Sequence, residues 1–312
     1  MTVYRTVLEA DLTPIAGSLI QPTGFPDLGA AEFGDGKLLV ESAQSMANWL
    51  ESTTWDAATN DQAGELAKAG VPYVRVVDPQ GVFLSSSRLE AHRLASAYIM
   101  SGTVADTTGE KWLEEQLQLV KGRPLDYRAV ARACFRLDPV SLVHGVFFAR
   151  KNWPWQPKIS RAVTSFIEAS GVKPAVSGGV KKDGVINEAR GGATAEGYGT
   201  VPHHRVEYTA DTITAYFTVD HAQFRSYGLS QPATALLEAI ADFEIASLLD
   251  RGMRLRTRCD LVVRDVTKGE RPDVADAASR IVKFAADARD ELGPVTDVTW
   301  SDSVRTAKAS KG

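Results

Sequence analysis

The stretch Met253-Arg254-Leu255-Arg256-Thr257-Arg258-Cys259-Asp260-Leu261 alternates cationic or polar residues with apolar ones at a period of two. A strand turns successive side chains to opposite faces, so Arg254, Arg256 and Arg258 share one face and Met253, Leu255, Cys259 and Leu261 the other. This is the clearest strand signal in the chain, and it extends to Val263. Three guanidiniums in line, successive ones about 7 Å apart at strand rise, repel one another and need counter-charge. Either acidic side chains on a solvated face supply it, or a polyanion does, whose phosphates suit arginine's forked donors. Just upstream, Pro232–Leu249 reads as a strongly apolar helix.

Working outward, strand patterns recur at Val3–Leu8, Leu38–Val40, Val71–Val77, Val140–Phe148, Arg205–Tyr208 and Thr212–Val219, with Ala210-Asp211 as the turn between the last two. Helical spacing is read over Glu41–Ser52, where Ala43, Met46, Ala47 and Leu50 fall on one side and Ser42, Gln44, Ser45 and Asn48 on the other. Ser87-Arg88-Leu89-Glu90 fits a capping box that opens a helix running to about Met100. Further helices are read at Lys111–Lys121, at Tyr127–Arg136 behind Asp126, and over Arg161–Ala169, where the signals are mixed. Gln21–Gly29 is a turn-rich loop, and Gly171–Val201, with eight glycines, a long irregular insertion. Strands and helices mix without evenly spaced β-α-β units, so the fold class is α+β.

The chain has 312 residues, 44% hydrophobic and 24% charged, an ordinary globular composition. No apolar run reaches the roughly 18 residues of a membrane span, and Met1-Thr2-Val3-Tyr4-Arg5 lacks the pattern of a secretory signal. A cytoplasmic protein without membrane contact is the expectation. Cys134 and Cys259 are too far apart in sequence for a metal-binding spacing and read as buried reduced thiols.

Net charge is −4, which opposes a nucleic-acid partner, but its distribution matters more. Arg150–Arg205 holds nine Lys and Arg against four acids, and Arg251–Arg264 five arginines against Asp260. A polyanion can therefore meet a locally positive surface. The insertion contributes Lys181 and Lys182, and glycine lets backbone approach a ligand closely. His203, His204 and Arg205 close it, either as phosphate contacts or as the start of a solvated strand. His144 reads either as a satisfied core histidine or as a substrate contact.

Signatures of catalysis are missing. Gly179–Gly184 has P-loop glycine spacing, but Val185-Ile186 stand where Lys and Ser or Thr are needed. No paired-histidine helix or Gly-x-Ser-x-Gly elbow occurs. The expectation is a non-enzyme without metal or cofactor.

Several stretches then resemble one family in order along the chain: Gln21-Pro22-Thr23-Gly24-Phe25-Pro26-Asp27-Leu28-Gly29, Leu39–Asn48, Asp138–Phe148, Gly178–Asp183 and Leu255–Leu261. Together they resemble the type I-U (I-G) CRISPR-associated RAMP-superfamily protein, the backbone subunit of the Cascade effector complex. The resemblance implies a modified RNA-recognition-motif (ferredoxin-like) palm over residues 1–265. It implies large inserted loops, with a thumb at about 171–201 or in the turn-rich loop near Pro22, and a C-terminal helix and basic tail over 266–312. It further implies a non-catalytic subunit that multimerises along the crRNA spacer as a filament and supports target DNA recognition through base pairing with the guide. Other Cascade subunits and a recruited helicase-nuclease are the implied protein partners. An RNA-processing or target-cutting endoribonuclease of the same superfamily is the alternative. The resemblance selects Ser42, Gln44, Ser45 and Asn48 on their helix as RNA contacts, together with Lys181 and Lys182 of the thumb. To these it adds Arg254, Arg256 and Arg258 of the palm, and the phosphate-contact reading of the residues themselves adds His203 and Arg205.

Overall fold

The computed structural model describes residues 3–25, 29–181 and 201–301. Its centre is a seven-stranded antiparallel sheet built from β1 (Arg5–Pro14), β2 (Glu32–Phe33), β3 (Lys37–Glu41), β4 (Val163–Ser170), β7 (Thr212–Asp220), β8 (Met253–Arg256) and β9 (Cys259–Lys268). Strands β5 (Lys173–Lys181) and β6 (Val201–Thr209) form a separate two-stranded hairpin. The sheet order is β8-β9-β1-β7-β4-β3-β2. Period-two burial fixes its register: Leu8, Ala10 and Leu12 of β1 face inward, as do Ile213, Ala215, Phe217 and Val219 of β7. A one-residue slip would turn these sets to solvent, so pairing is strongly specified.

The inner face is covered by helices. They include α1 (Ala43–Glu51), α2 (Tyr127–Leu137), α3 (Val140–His144) and α4 (Gln231–Arg251), with α5 (Val274–Asp287) packed outside α4. Helix α4 is buried on nearly every side, as an apolar helix without a polar face must be. Ser230 caps it by accepting from Ala233 N at 3.2 Å, and Gly252 ends it at φ +75°. Beyond residue 265 the chain completes β9, forms α5 and adds Thr296–Thr299 to a second, five-stranded sheet. That last strand runs parallel to Val74–Val77, clamped by Arg75 on Asp297 at 2.7 and 2.8 Å. Residues 302–312 lie outside the described residues.

Several sequence expectations change. Met253–Val263 is not one strand: β8 and β9 pair across the two-residue turn Thr257-Arg258, with an irregularity between Arg254 and Arg256. The three arginines therefore do not share a strand face. Arg161–Ala169 contains no helix; β4 occupies Val163–Ser170, with Val163, Ser165, Ile167 and Ala169 inward. Two of those inward residues are Ser and Ala, which blunts the apolar alternation that marks a strand. Val140–Phe148 opens as helix α3, because Pro139 has helical torsions, and only Val146–Phe147 is extended.

The capping-box helix to Met100 is also absent. Ser87 is spent on β-sheet backbone, accepting from Val74 N at 3.2 Å, and Glu90 accepts from Ser96 Oγ at 2.9 Å. Arg93 then takes φ +51°, and only Ala97–Ser101 is helical. The helix read over Lys111–Lys121 runs from Gly109 to Gln116. Of the glycine-rich insertion, 173–181 and residue 201 onward are paired strand rather than irregular chain, and 182–200 lie outside the described residues.

Candidate nucleic-acid interface

Helix α1 follows β3 directly, and Ser42 between them is its N-cap: its hydroxyl accepts from Ser45 N at 3.3 Å. Met46, Ala47 and Leu50 are buried, so Gln44 and Asn48, one turn apart, face out, while Ser45 is half-buried. The two exposed amides open onto a cleft of about 680 Å³. Its other wall carries His92, Arg93, Phe147, Lys158 and Arg161, and no Asp or Glu lines it among the described residues.

The base of the cleft is a buried charge network. Arg93 reaches Glu51 with two parallel bonds, Nε to Oε1 at 2.6 Å and Nη2 to Oε2 at 2.7 Å, and its Nη1 donates to Gly145 O at 3.1 Å. Burial pushes the Glu51 carboxyl up, while the charges of His144 and Arg93 pull against it. Beside this pair, His144 Nε2 lies 2.7 Å from Glu244 Oε2, both side chains fully buried. Of the two sequence readings of His144, a satisfied core histidine is met only in part: Nε2 has Glu244, but Nδ1 is buried without a hydrogen-bond partner among the described residues, and the residue closes helix α3 rather than standing in a strand.

Arg161 differs from Arg93. It is half-buried and makes no hydrogen bond or ion pair to any described residue, and burial together with the nearby Arg93 charge lowers its pKa. The Glu51 charge pulls the other way, and since an arginine stays charged under such a shift, its donors remain open to an outside anion. Lys158 is exposed, with Nζ 5.9 Å from the centre of the Phe147 ring. Gly145 makes the juxtaposition possible. Its φ is +80° and ψ 156°, and an added Cβ would lie 2.7 Å from Ile159 O and 3.0 Å from Arg161 N. That backbone region is essentially glycine-only, at a cost of about 1–3 kcal/mol for other residues. Gly145→Ala is expected to lose at least this much stability in urea unfolding, because the clash adds to the torsional cost. An unchanged midpoint would show that the backbone relaxes freely there.

The arginines of the β8–β9 hairpin take three different roles. Arg256 is a bolt: it donates to Gln21 O at 2.9 Å and Val40 O at 2.7 Å and pairs with Glu41. Arg258, in the turn, and Arg205, on β6, both approach buried Glu207 at 3.6 Å. Arg254 is exposed on β8. Arg205 and Arg258, far apart in sequence, thus form one patch with a single carboxylate between them. Lys181 and His203 stand on the facing strands β5 and β6, and Lys182 lies outside the described residues.

Sequence reasoning placed Gln44 and Asn48 at the site but missed His92, Phe147, Lys158 and Arg161 as a group. A signal was present: Pro139–Ile167 holds four Lys and Arg and no acid. The outward face of the sheet carries paired charges, Glu9 with Lys268 at 2.8 Å and Asp11 with Arg264 at 3.0 Å. There Phe166 and Tyr216 stack at 5.1 Å, and burial, then Glu168, Glu9 and Asp11, raise the Tyr216 pKa. Among the described residues no group of three His, Cys, Asp or Glu is arranged to hold a metal, and no helix is long and apolar enough to cross a membrane.

The molecule is thus a mixed α+β protein with an antiparallel sheet and a cationic cleft lined by no Asp or Glu among the described residues. It belongs to the CRISPR-associated protein GSU0053 family, whose model matches residues 6–174. Among solved structures, the chain is similar to one from a CRISPR RNA-guided surveillance complex, pre-nicking, at 12% identity and a TM-score of 0.37, covering 99% of this chain and 100% of that one. No curated protein matches it.

Proposed function

We propose that this CRISPR-associated protein is a non-catalytic backbone subunit that binds crRNA, repeats along the guide and lets the guide pair with target DNA. The observation that carries this reading is the cleft: Lys158 and Arg161, two exposed amides and no lining carboxylate among the described residues, with Arg161 lacking a partner among them in a chain of net charge −4. The topology supports it as well. Strands β9, β1, β7 and β4 stand side by side, so the fourth, first, third and second long strands of the sheet are neighbours, with helices after the first and third. That order is what a ferredoxin-like, RNA-recognition-type palm would have, and it supports this reading. The β5–β6 hairpin leaves the palm between its second and third strands and is a natural thumb. Further copies of the chain, other Cascade subunits and a recruited helicase-nuclease are its proposed partners.

Phosphate binding predicts a salt-dependent, sequence-tolerant affinity. Arg161→Ala is expected to weaken single-stranded RNA binding about tenfold at low salt, since a charged hydrogen bond contributes about 1.5–3 kcal/mol. It should also flatten the plot of log affinity against log salt by about 0.7, the share of one single-strand phosphate. Filter binding between 50 and 300 mM salt reads both. Wild-type affinity and slope in a folded variant would remove the cleft from the RNA path. Incubating the protein with guide precursor and target strands, with and without divalent metal, tests the non-catalytic reading. Cleavage abolished by one side-chain change would favour the endoribonuclease alternative.

A further inference from the structure

We infer that Phe147 is a base-stacking platform, so that the cleft holds a whole nucleotide: its phosphate on Arg161 and Lys158, its base on the Phe147 ring. This rests on the RNA-binding reading above and adds a second kind of contact to it. Phe147 is 48% exposed, in a protein that buries Phe135, Phe148, Phe217 and Phe224 almost completely. Its neighbour Phe148 shows the contrast: it packs inward on Trp153 with ring centres 5.9 Å apart. Among the described residues Phe147 makes no ring–ring contact, and Lys158 Nζ lies 5.9 Å from its ring centre.

The geometry of the site explains why an aromatic stands there. Phe147 and Lys158 face each other across a two-residue ladder, and Arg161 lies three residues beyond Lys158. Gly145 lets that segment pass close behind it, where an added Cβ would lie 2.7 Å from Ile159 O and 3.0 Å from Arg161 N. Platform and cations thus line one cleft, which is ample for one nucleotide. An exposed ring beside phosphate-binding cations is the combination used for sequence-independent grip on single strands, because every base has a π face. Double-stranded nucleic acid, its bases already stacked, cannot use it.

The test compares Phe147→Ala, Phe147→Leu and Arg161→Ala on a labelled single-stranded RNA and on its duplex. Removing a stacking platform costs roughly fivefold to a hundredfold in affinity. Phe147→Ala and Phe147→Leu should both show this loss on single strands, with the salt slope unchanged and duplex binding unaffected. RNA carrying 5-iodouridine should crosslink at Phe147 under ultraviolet light, located by mass spectrometry of the digested adduct. Phe147→Leu binding as wild type, while Arg161→Ala still weakens and flattens binding, would overturn the platform and leave the RNA reading intact. Absence of salt-dependent RNA binding in the wild-type protein would overturn both. All variants alter exposed or half-buried positions, and their unfolding midpoints verify that the fold is kept.

Discussion

Arg93→Ala is expected to destabilise the fold by about 3–5 kcal/mol, the usual cost of removing one partner from a buried ion pair. Three observations place it in that range. Both side chains are nearly inaccessible, at 7% and 5% exposure. The two parallel bonds at 2.6 and 2.7 Å use the full fork of the guanidinium. The third donor satisfies Gly145 O, the carbonyl at the sharp turn beneath the cleft. The variant would leave Glu51 buried with burial raising its pKa and one opposing charge gone.

The sign of the pH dependence follows. A carboxyl whose folded pKa exceeds its unfolded one holds a proton more tightly in the folded state. In Arg93→Ala the loss should therefore be smallest below pH 4.5, the ordinary value, and grow as pH rises through the raised one. Urea midpoints from pH 4 to 8 would show a variant that recovers towards acid relative to wild type. Glu51→Gln together with Arg93→Ala should recover part of the loss, since the uncompensated charge is gone. A single-variant loss under 1 kcal/mol would mean that water reaches the pair. Arg93 also holds φ +51°, and the network that stabilises it lies under the cleft floor.

How much of this was legible beforehand depends on whether the signal was local. Helix α1, helix α2 with its Asp126 cap, and helix α4 follow from apolar spacing and capping residues a few positions apart. Strand β7 was equally plain, since Ile213, Ala215, Phe217 and Val219 alternate without interruption. Strand β4 was obscured because a central strand can fill inward positions with Ser165 and Ala169 when its neighbours supply the bulk. The arginine row failed for another reason: alternation along a sequence cannot reveal a two-residue turn at Thr257-Arg258 that lacks Gly, Asn or Asp. In the candidate site, Gln44 and Asn48 were visible as one polar helix face. Their partners Arg161 and Phe147 reach them only through the Gly145 turn and the pairing of β4 with β3, contacts that no local pattern encodes.

Asp138→Ala should destabilise the protein as strongly as Arg93→Ala, about 3–5 kcal/mol, and for a related reason. Asp138 and Arg88 have side-chain exposures of 0%, and Arg88 Nε lies 3.0 Å from Asp138 Oδ1. The contact is ionic rather than a well-aligned hydrogen bond, since Nε and Nη1 of Arg88 have no hydrogen-bond acceptor. Removing the carboxylate would bury an unpaired guanidinium with only Pro72 O at 3.4 Å. It would also free Val140 N, now bonded to Oδ1 at 3.1 Å at the start of α3. An acid at the head of a motif resembling a CRISPR backbone protein invites a catalytic reading, but a fully enclosed carboxylate paired to arginine cannot touch a phosphodiester. Any loss of RNA binding in Asp138→Ala should therefore track its unfolded fraction across a thermal melt. Asp138→Asn separates the roles: it keeps the Oδ1 acceptor for Val140 N and loses the charge, so intermediate stability with wild-type RNA affinity in the folded protein is expected. A stable Asp138→Asn that had lost an RNA-cleaving activity shown by wild type would reverse this assignment and with it the non-catalytic reading.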